Sequence, residues 1–202
     1  MMIGIIDYGV GNLKNVQTAV KKIGYDCVIS GKKEELERSD ALILPGVGAF
    51  GDSIDMLNKS GLRDFVDRWA SDNRYMLGIC VGMQLLFERS YEMGLHEGLG
   101  YLKGEVIPFQ KPLKIPHMGW NELKIVQKDS PIVNNIQEGE YVYFVHSYYA
   151  TPAEENLVAY TEYGGKVAAI VQKGNIFATQ FHPEKSAATG EKLLKNYLEL
   201  IQ

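Results

Sequence analysis

Four short apolar runs, each followed by a stretch of helical character, limit what this chain can fold into. The runs are "MIGIID", "YDCVIS", "ALILPG" and "YMLGI". After the first, Leu13, Val16, Val20 and Ile23 recur at helical spacing in "NLKNVQTAVKKIG", with Gly24 as the stop. "KKEELER" predicts a short charged helix. Residues 52–72 predict one or two more, with Leu57, Leu62, Phe65, Val66 and Trp69 on the apolar side, and "GMQLLFERS" predicts the helix after the fourth strand. Apolar strands taking turns with helices imply a parallel sheet covered on both faces.

The second half reads differently. "WNELKIV", "EYVYFVHSYYA", "LVAYTEY", "VAAIVQ" and "NIFATQF" are strand-like with little helix between them, so hairpins or extensions of the sheet are expected. The closing segment "GEKLLKNYLELIQ" places Leu193, Leu194, Tyr197, Leu198 and Ile201 on one helical face. The expected fold is one α/β domain over residues 1–202, with a mixed, mostly parallel central sheet flanked by helices. A formal net charge of −4 disfavours a nucleic-acid partner, which normally meets a basic surface. "MMIGIIDYGVGN" lacks a basic leader and Asp7 cuts its apolar run short, so it reads as a strand rather than a signal peptide. No run approaches the roughly 20 apolar residues of a membrane helix. Two cysteines form no disulfide framework, which fits a reducing cytoplasm.

One of those cysteines sits in an unusual frame. In "MLGICVGMQLLFERS", Cys80 lies between Gly78 and Gly82 where the fourth strand gives way to its helix. Strand, G-x-C-x-G and helix is the layout of a nucleophile elbow. The glycines allow a sharp turn and close strand–helix packing. A sulfur at a helix N-terminus is favoured as thiolate, and the Val81 N–H is left free for an oxyanion. The alternative is a small buried hydrophobe, and that is the reading for Cys27, which lies mid-strand without glycines.

A thiol nucleophile needs a base. Of the four histidines, His182 in "FATQFHPEKS" ends a strand-like run and is followed by Pro183 and Glu184. Pro183 pushes His182 toward extended geometry, and residues two apart then project to one side. Glu184 is thereby placed to hold the imidazole, giving nucleophile, base and orienter. A metal site or a surface ion pair is the competing interpretation, but no other His or Cys has close ligand spacing, so no metal is expected. "LPGVGAFG", after the third strand, exposes a glycine-rich backbone at the same sheet edge. It can complete an oxyanion hole, and it lacks the lysine and spacing of a phosphate loop.

"LPGVG", "GICVGMQLLFE", "FVHSYYA" and "FATQFHPEKS", in that order through most of the chain, together resemble the triad-type glutamine amidotransferases. "DYGVGNLKNV", "PHMGWNEL" and "HPEKS" narrow the resemblance to the glutaminase subunits of imidazole glycerol phosphate synthases. The resemblance implies a flavodoxin-like fold and hydrolysis of glutamine to glutamate and ammonia, without cofactor or metal. It implies that Cys80 attacks the carboxamide, His182 relays the proton and Glu184 holds His182. Val81 and the Val47–Gly48 peptide would stabilise the oxyanion. Gln84 and Glu92 would hold the polar groups of glutamine, and Gly48, Ser147 and Tyr148 would contact it through their backbone.

It also implies a partner: a (β/α)8-barrel cyclase, in a heterodimer, that receives the ammonia. Asn12, Asn15, Trp120, Asn121 and Lys185 would lie at the docking face. Trp120 beside Gly and Asn in a loop suits an interface anchor, though it also suits a core. Lys185 suits a cross-interface ion pair, though it also suits a solvated charge. The chain stops one helix after the triad, so the synthase is expected on a separate chain. A glutaminase that idles without its partner needs a switch, and a Val47–Gly48 peptide flip is a candidate, since glycine tolerates positive φ. Three alternatives stand beside this reading: the same chemistry serving another synthase, a non-catalytic subunit that kept the fold, and a γ-glutamyl peptidase using the same triad, which the docking motifs disfavour.

Overall fold

The computed structural model describes residues 1–110 and 113–201. Its first half follows the alternating pattern. Strand β1 (Met2–Ile6) leads to helix α1 (Leu13–Ile23), which buries Val16 and Val20 and ends at Gly24 with φ +103°. Strand β2 (Asp26–Ser30), the short α2 (Lys33–Leu36) and β3 (Ala41–Gly46) follow, and every residue of β3 is buried. The segment read as one or two helices is two, α3 (Phe50–Lys59) and α4 (Arg63–Ser71), before β4 (Tyr75–Cys80).

The next element departs from the expected helix. Helix α5 runs only Val81–Leu85, and "FERS" is strand β5 (Phe87–Ser90). The backbone carbonyls of Leu85, Leu86, Phe87 and Glu88 are taken by the N–H groups of Leu99, Leu102, Gly100 and Gly98. A distant loop thus occupies the acceptors that would otherwise carry the helix onward. The two-residue β6 (His96–Glu97) and the longer β7 (Leu102–Pro108) come next.

The remaining strands are β8 (His117–Glu122), β9 (Lys124–Ile125), β10 (Tyr141–His146), β11 (Tyr148–Pro152), β12 (Leu157–Glu162), β13 (Lys166–Lys173) and β14 (Ile176–Thr179). "EYVYFVHSYYA" is therefore two strands, broken at Ser147. Helix α6 (Ala187–Glu199) closes the fold and buries Leu193, Leu194, Tyr197 and Leu198.

The main sheet has the order β2-β1-β3-β4-β14-β13-β12-β9. Every pairing from β2 to β14 is parallel, and those from β14 to β9 are antiparallel, so the sheet is mixed and mostly parallel, as expected. Helices α1 and α6 pack together, as do α3 and α5. The Tyr197 hydroxyl donates to the Leu42 carbonyl at 3.1 Å, tying α6 to β3. A second sheet, β11-β7-β5-β6, and the antiparallel pair β10–β8 stand beside it. The parallel strands β3 and β4 end side by side, with Gly46 paired to Cys80. That edge is where open α/β sheets bind ligands.

Candidate active site

Cys80 makes the turn between β4 and α5 itself. Its φ of +56° and ψ of −113° are conformations a side-chain-bearing residue rarely takes. The glycines around it serve approach. A Cβ on Gly82 would lie 1.9 Å from the Leu44 carbonyl oxygen, and one on Gly46 would lie 2.5 Å from the Gly82 nitrogen. A Cβ on Gly78 would meet the Gly82 oxygen at 2.9 Å. These glycines let α5 lie directly on β3 and β4. With five residues, α5 contributes free N–H groups at its start more than a macrodipole.

His182 is extended, at φ −94° and ψ +100°, but Pro183–Lys185 forms a 3₁₀ turn rather than continued extended chain. The turn, opened by Pro183, brings the carboxylate back. His182 Nδ1–H donates to Glu184 Oε1 at 2.8 Å, with both side chains buried. Ser186 Oγ donates to the His182 carbonyl at 2.6 Å, and the His182 N–H donates to the Tyr143 carbonyl at 3.1 Å, so the backbone is pinned. Burial pulls the His182 imidazole down, but hydrogen bonds and charge interactions with Cys80 and Glu184 outweigh it and push the pKa up to about 9. Nδ1 is committed to Glu184, which leaves Nε2 for a proton from sulfur.

Val47, Gly48, Cys80, Val81, Gln84, Glu92, Ser147, Tyr148, His182 and Lys185 line one cavity of about 190 Å³, together with Val145 and His146. Gly48 has φ +87°, and a Cβ there would meet nothing within 4 Å. The Val47 carbonyl faces Ser53 Oγ at 3.5 Å, and the Tyr8 hydroxyl of "DYGVGN" holds the Pro45 carbonyl at 2.7 Å. Glu92 Oε2 accepts the Phe50 N–H at the start of α3 at 2.6 Å. Gln84 Nε2 donates to the Tyr148 carbonyl and to Gln180 Oε1, both at 3.0 Å. Among the described residues no group of His, Cys, Asp and Glu is placed to hold a metal ion.

The proposed docking residues lie outside this cavity, apart from Lys185. Asn12, directly before α1, and Asn15, on α1, are exposed, and Asn15 lines a separate groove between α1 and α6 that Glu184 also reaches. Trp120 lies in strand β8, not in a loop, 51% exposed with its ring 6.0 Å from Tyr143. Asn121 is partly buried, and its amide donates to the Glu162 carbonyl at 3.1 Å. Sequence reasoning missed Gln180, whose amide lies 3.9 Å from Cys80 Sγ. Its signal was available, since Gln180 stands two residues before His182.

A family model described as "Glutamine amidotransferase class-I" matches residues 4–200. The chain belongs to the class-I glutamine amidotransferase family. This amidotransferase is 51% identical to the "Imidazole glycerol phosphate synthase subunit HisH" of Caldanaerobacter subterraneus subsp. tengcongensis, across 100% of the chain and 99% of that relative. It is 47% identical to the subunit of the same name from Bacillus subtilis, across 98% of the chain and 96% of the relative. Among solved structures it resembles "Structure of PurLQS from Thermotoga maritima", with TM-score 0.80 at 20% identity over 100% of this chain and 99% of that one. That likeness is one of fold.

Proposed function

We propose that this amidotransferase is the glutaminase subunit of an imidazole glycerol phosphate synthase. It hydrolyses glutamine and passes ammonia to a (β/α)8-barrel cyclase subunit in a cytoplasmic heterodimer. The observation that carries the reading is the meeting of Cys80 and His182 at one small cavity, with Glu184 2.8 Å behind the imidazole. The Cys80 proton passes to His182 Nε2, and the thiolate adds to the side-chain carboxamide of glutamine. The oxyanion takes the Val81 N–H and a peptide N–H from the Val47–Gly48 stretch. His182 returns its proton to the departing ammonia, leaving a thioester. Water attacks the thioester with His182 as base, and glutamate leaves as Cys80 is restored. Gln84, Glu92, Gly48, Ser147 and Tyr148 hold the amino acid.

The face beside the cavity supports a docked partner. Met118 and Trp120 on β8 and Tyr141 on β10 are exposed, and their neighbour Val145 lines the cavity. Asn12, Asn15, Asn121 and Lys185 are assigned to the same docking role. Glutamate release tests the reading in three mixtures: the chain alone, with the cyclase subunit, and with the cyclase and its ribulosyl substrate. A low basal rate that rises by orders of magnitude in the third supports it. A high rate indifferent to the cyclase would assign the same chemistry to another synthase. No release in any mixture would leave a non-catalytic subunit.

A further inference from the structure

Two buried histidines stand beside the cavity without a part in the chemistry above. They come from different strands. The β8–β10 ladder sets His117 directly opposite His146. Nδ1 of His117 lies 3.0 Å from Nε2 of His146, and Nδ1 of His146 lies 2.8 Å from the Tyr148 carbonyl. A carbonyl only accepts, so His146 carries its proton on Nδ1. Its Nε2 then accepts, and His117 must donate from Nδ1. Nε2 of His117 is left as an acceptor, and the Asn121 amide reaches it at 3.4 Å.

The surroundings keep both rings neutral. His117 is stacked between Tyr163, 3.9 Å away, and Phe144, 4.7 Å away, with Phe109 edge-on at 6.1 Å. Burial pushes His117 down to about 4. Burial, outweighing the Tyr148 hydrogen bond, and aided by the charges of His117 and His182, pushes His146 down to about 3. A neutral His146 leaves His182 as the one imidazolium at the cavity, where it faces the Cys80 sulfur.

We propose that His117 and His146 form a positioning relay that fixes the Tyr148 carbonyl, and with it the Ser147–Tyr148 bend, from the strand that carries Trp120 and Asn121. The inference rests on the reading of Ser147 and Tyr148 as glutamine contacts. The Tyr148 carbonyl is held from two sides, by His146 and by Gln84. Loss of the relay frees the bend and weakens substrate binding, while the Cys80–His182–Glu184 geometry is untouched. The pair are positioning residues.

The test is kinetics on the full complex with its ribulosyl substrate. His117→Phe keeps a flat ring between Tyr163 and Phe144 but removes the donor to His146. His146→Leu removes the donor to Tyr148, and His146→Asn restores an N–H near the Nδ1 position. The expected result is a rise in KM for glutamine of about tenfold in the first two variants, with kcat changed less than about threefold, and recovery of most of the loss in His146→Asn. A side-chain ¹⁵N–¹H spectrum of the unmodified protein should show Nδ1–H on both rings. That measurement decides the matter if a variant does not fold. An Nε2–H signal on His146, or an unchanged KM in a folded His117→Phe, would overturn the relay. Labelling of Cys80 by a glutamine-analogue electrophile separates the two claims, since its absence in the wild type would sink the glutaminase reading itself.

Discussion

At Cys80 the backbone is strained, and the strain aims a sulfur at an imidazole whose other nitrogen is tied to a buried carboxylate. The tie has a pH signature. His182 has its pKa raised from about 6.5 to about 9, so the proton it holds favours the folded state. That contribution is fully present below about pH 6.5 and is lost as pH rises through about 9. Glu184→Gln keeps an acceptor for Nδ1–H but removes the negative charge. We predict that the alkaline limb of kcat/KM against pH moves to lower pH in this variant, measured in the cyclase complex. An alkaline limb that stays in place would show that Glu184 does not set the His182 proton. The Val47–Gly48 loop gives a second prediction at this scale. A Cβ at Gly48 touches nothing, so Gly48→Ala acts through its φ of +87° alone. The left-handed region costs an L-residue about 1–2 kcal/mol. If the Val47–Gly48 peptide flips between a resting and a competent state, this penalty shifts the balance, and basal and stimulated glutaminase rates change by different factors. Identical rates to wild type in both assays would remove the flip.

Elements place these residues, and not all of them were legible from their own sequences. Strand β3 and helices α1 and α6 follow from apolar runs and spacing, because their partners are core and the pattern records burial. Strand β5 was not legible. "GMQLLFERS" has helical character, and the helix stops because N–H groups from residues 98–102 take its carbonyls, a contact invisible in the local run. The relay histidines were unreadable for a similar reason, since only the β8–β10 register sets His117 against His146. The Cys80 frame was legible in part. The glycines were read correctly as packing aids, while the sharp turn falls on the cysteine. Gly82 is the severest of these contacts, with a Cβ placed 1.9 Å from the Leu44 carbonyl oxygen of β3. Backbone cannot yield there without moving α5. Gly82→Ala is expected to cost about 3 kcal/mol, lowering the thermal midpoint by roughly 6–12 °C in a chain of this size. A midpoint within about 2 °C of wild type would show that α5 shifts freely.

Over the whole molecule, one end of the main sheet gathers the chemistry, and the β8–β10 pair beside it presents an apolar face to solvent. Met118 and Trp120 are 61% and 51% exposed, and Tyr141 is 56% exposed. Tyr143 lies opposite Trp120 in the ladder, and Val145, opposite Met118, reaches the cavity wall. A cluster of large apolar side chains at the mouth of a catalytic pocket is the kind of surface that marks a protein partner. A lid over this mouth would also keep ammonia from escaping to water. On the docking face proposed above, Trp120 would be the anchor, since a large aromatic ring buried on docking carries much of an interface's energy. Its exposure also makes it cheaper to remove from the isolated chain than a core residue, because half of its area already faces solvent in the fold. Trp120→Ala is therefore expected to weaken cyclase binding by about 2 kcal/mol, roughly 30-fold in Kd, with the thermal midpoint of the free chain nearly unchanged. Titration calorimetry with the cyclase subunit and a melting curve of the chain alone measure the two quantities. A Kd equal to wild type would move the docking face away from β8, and a large fall in midpoint would make Trp120 a core residue instead.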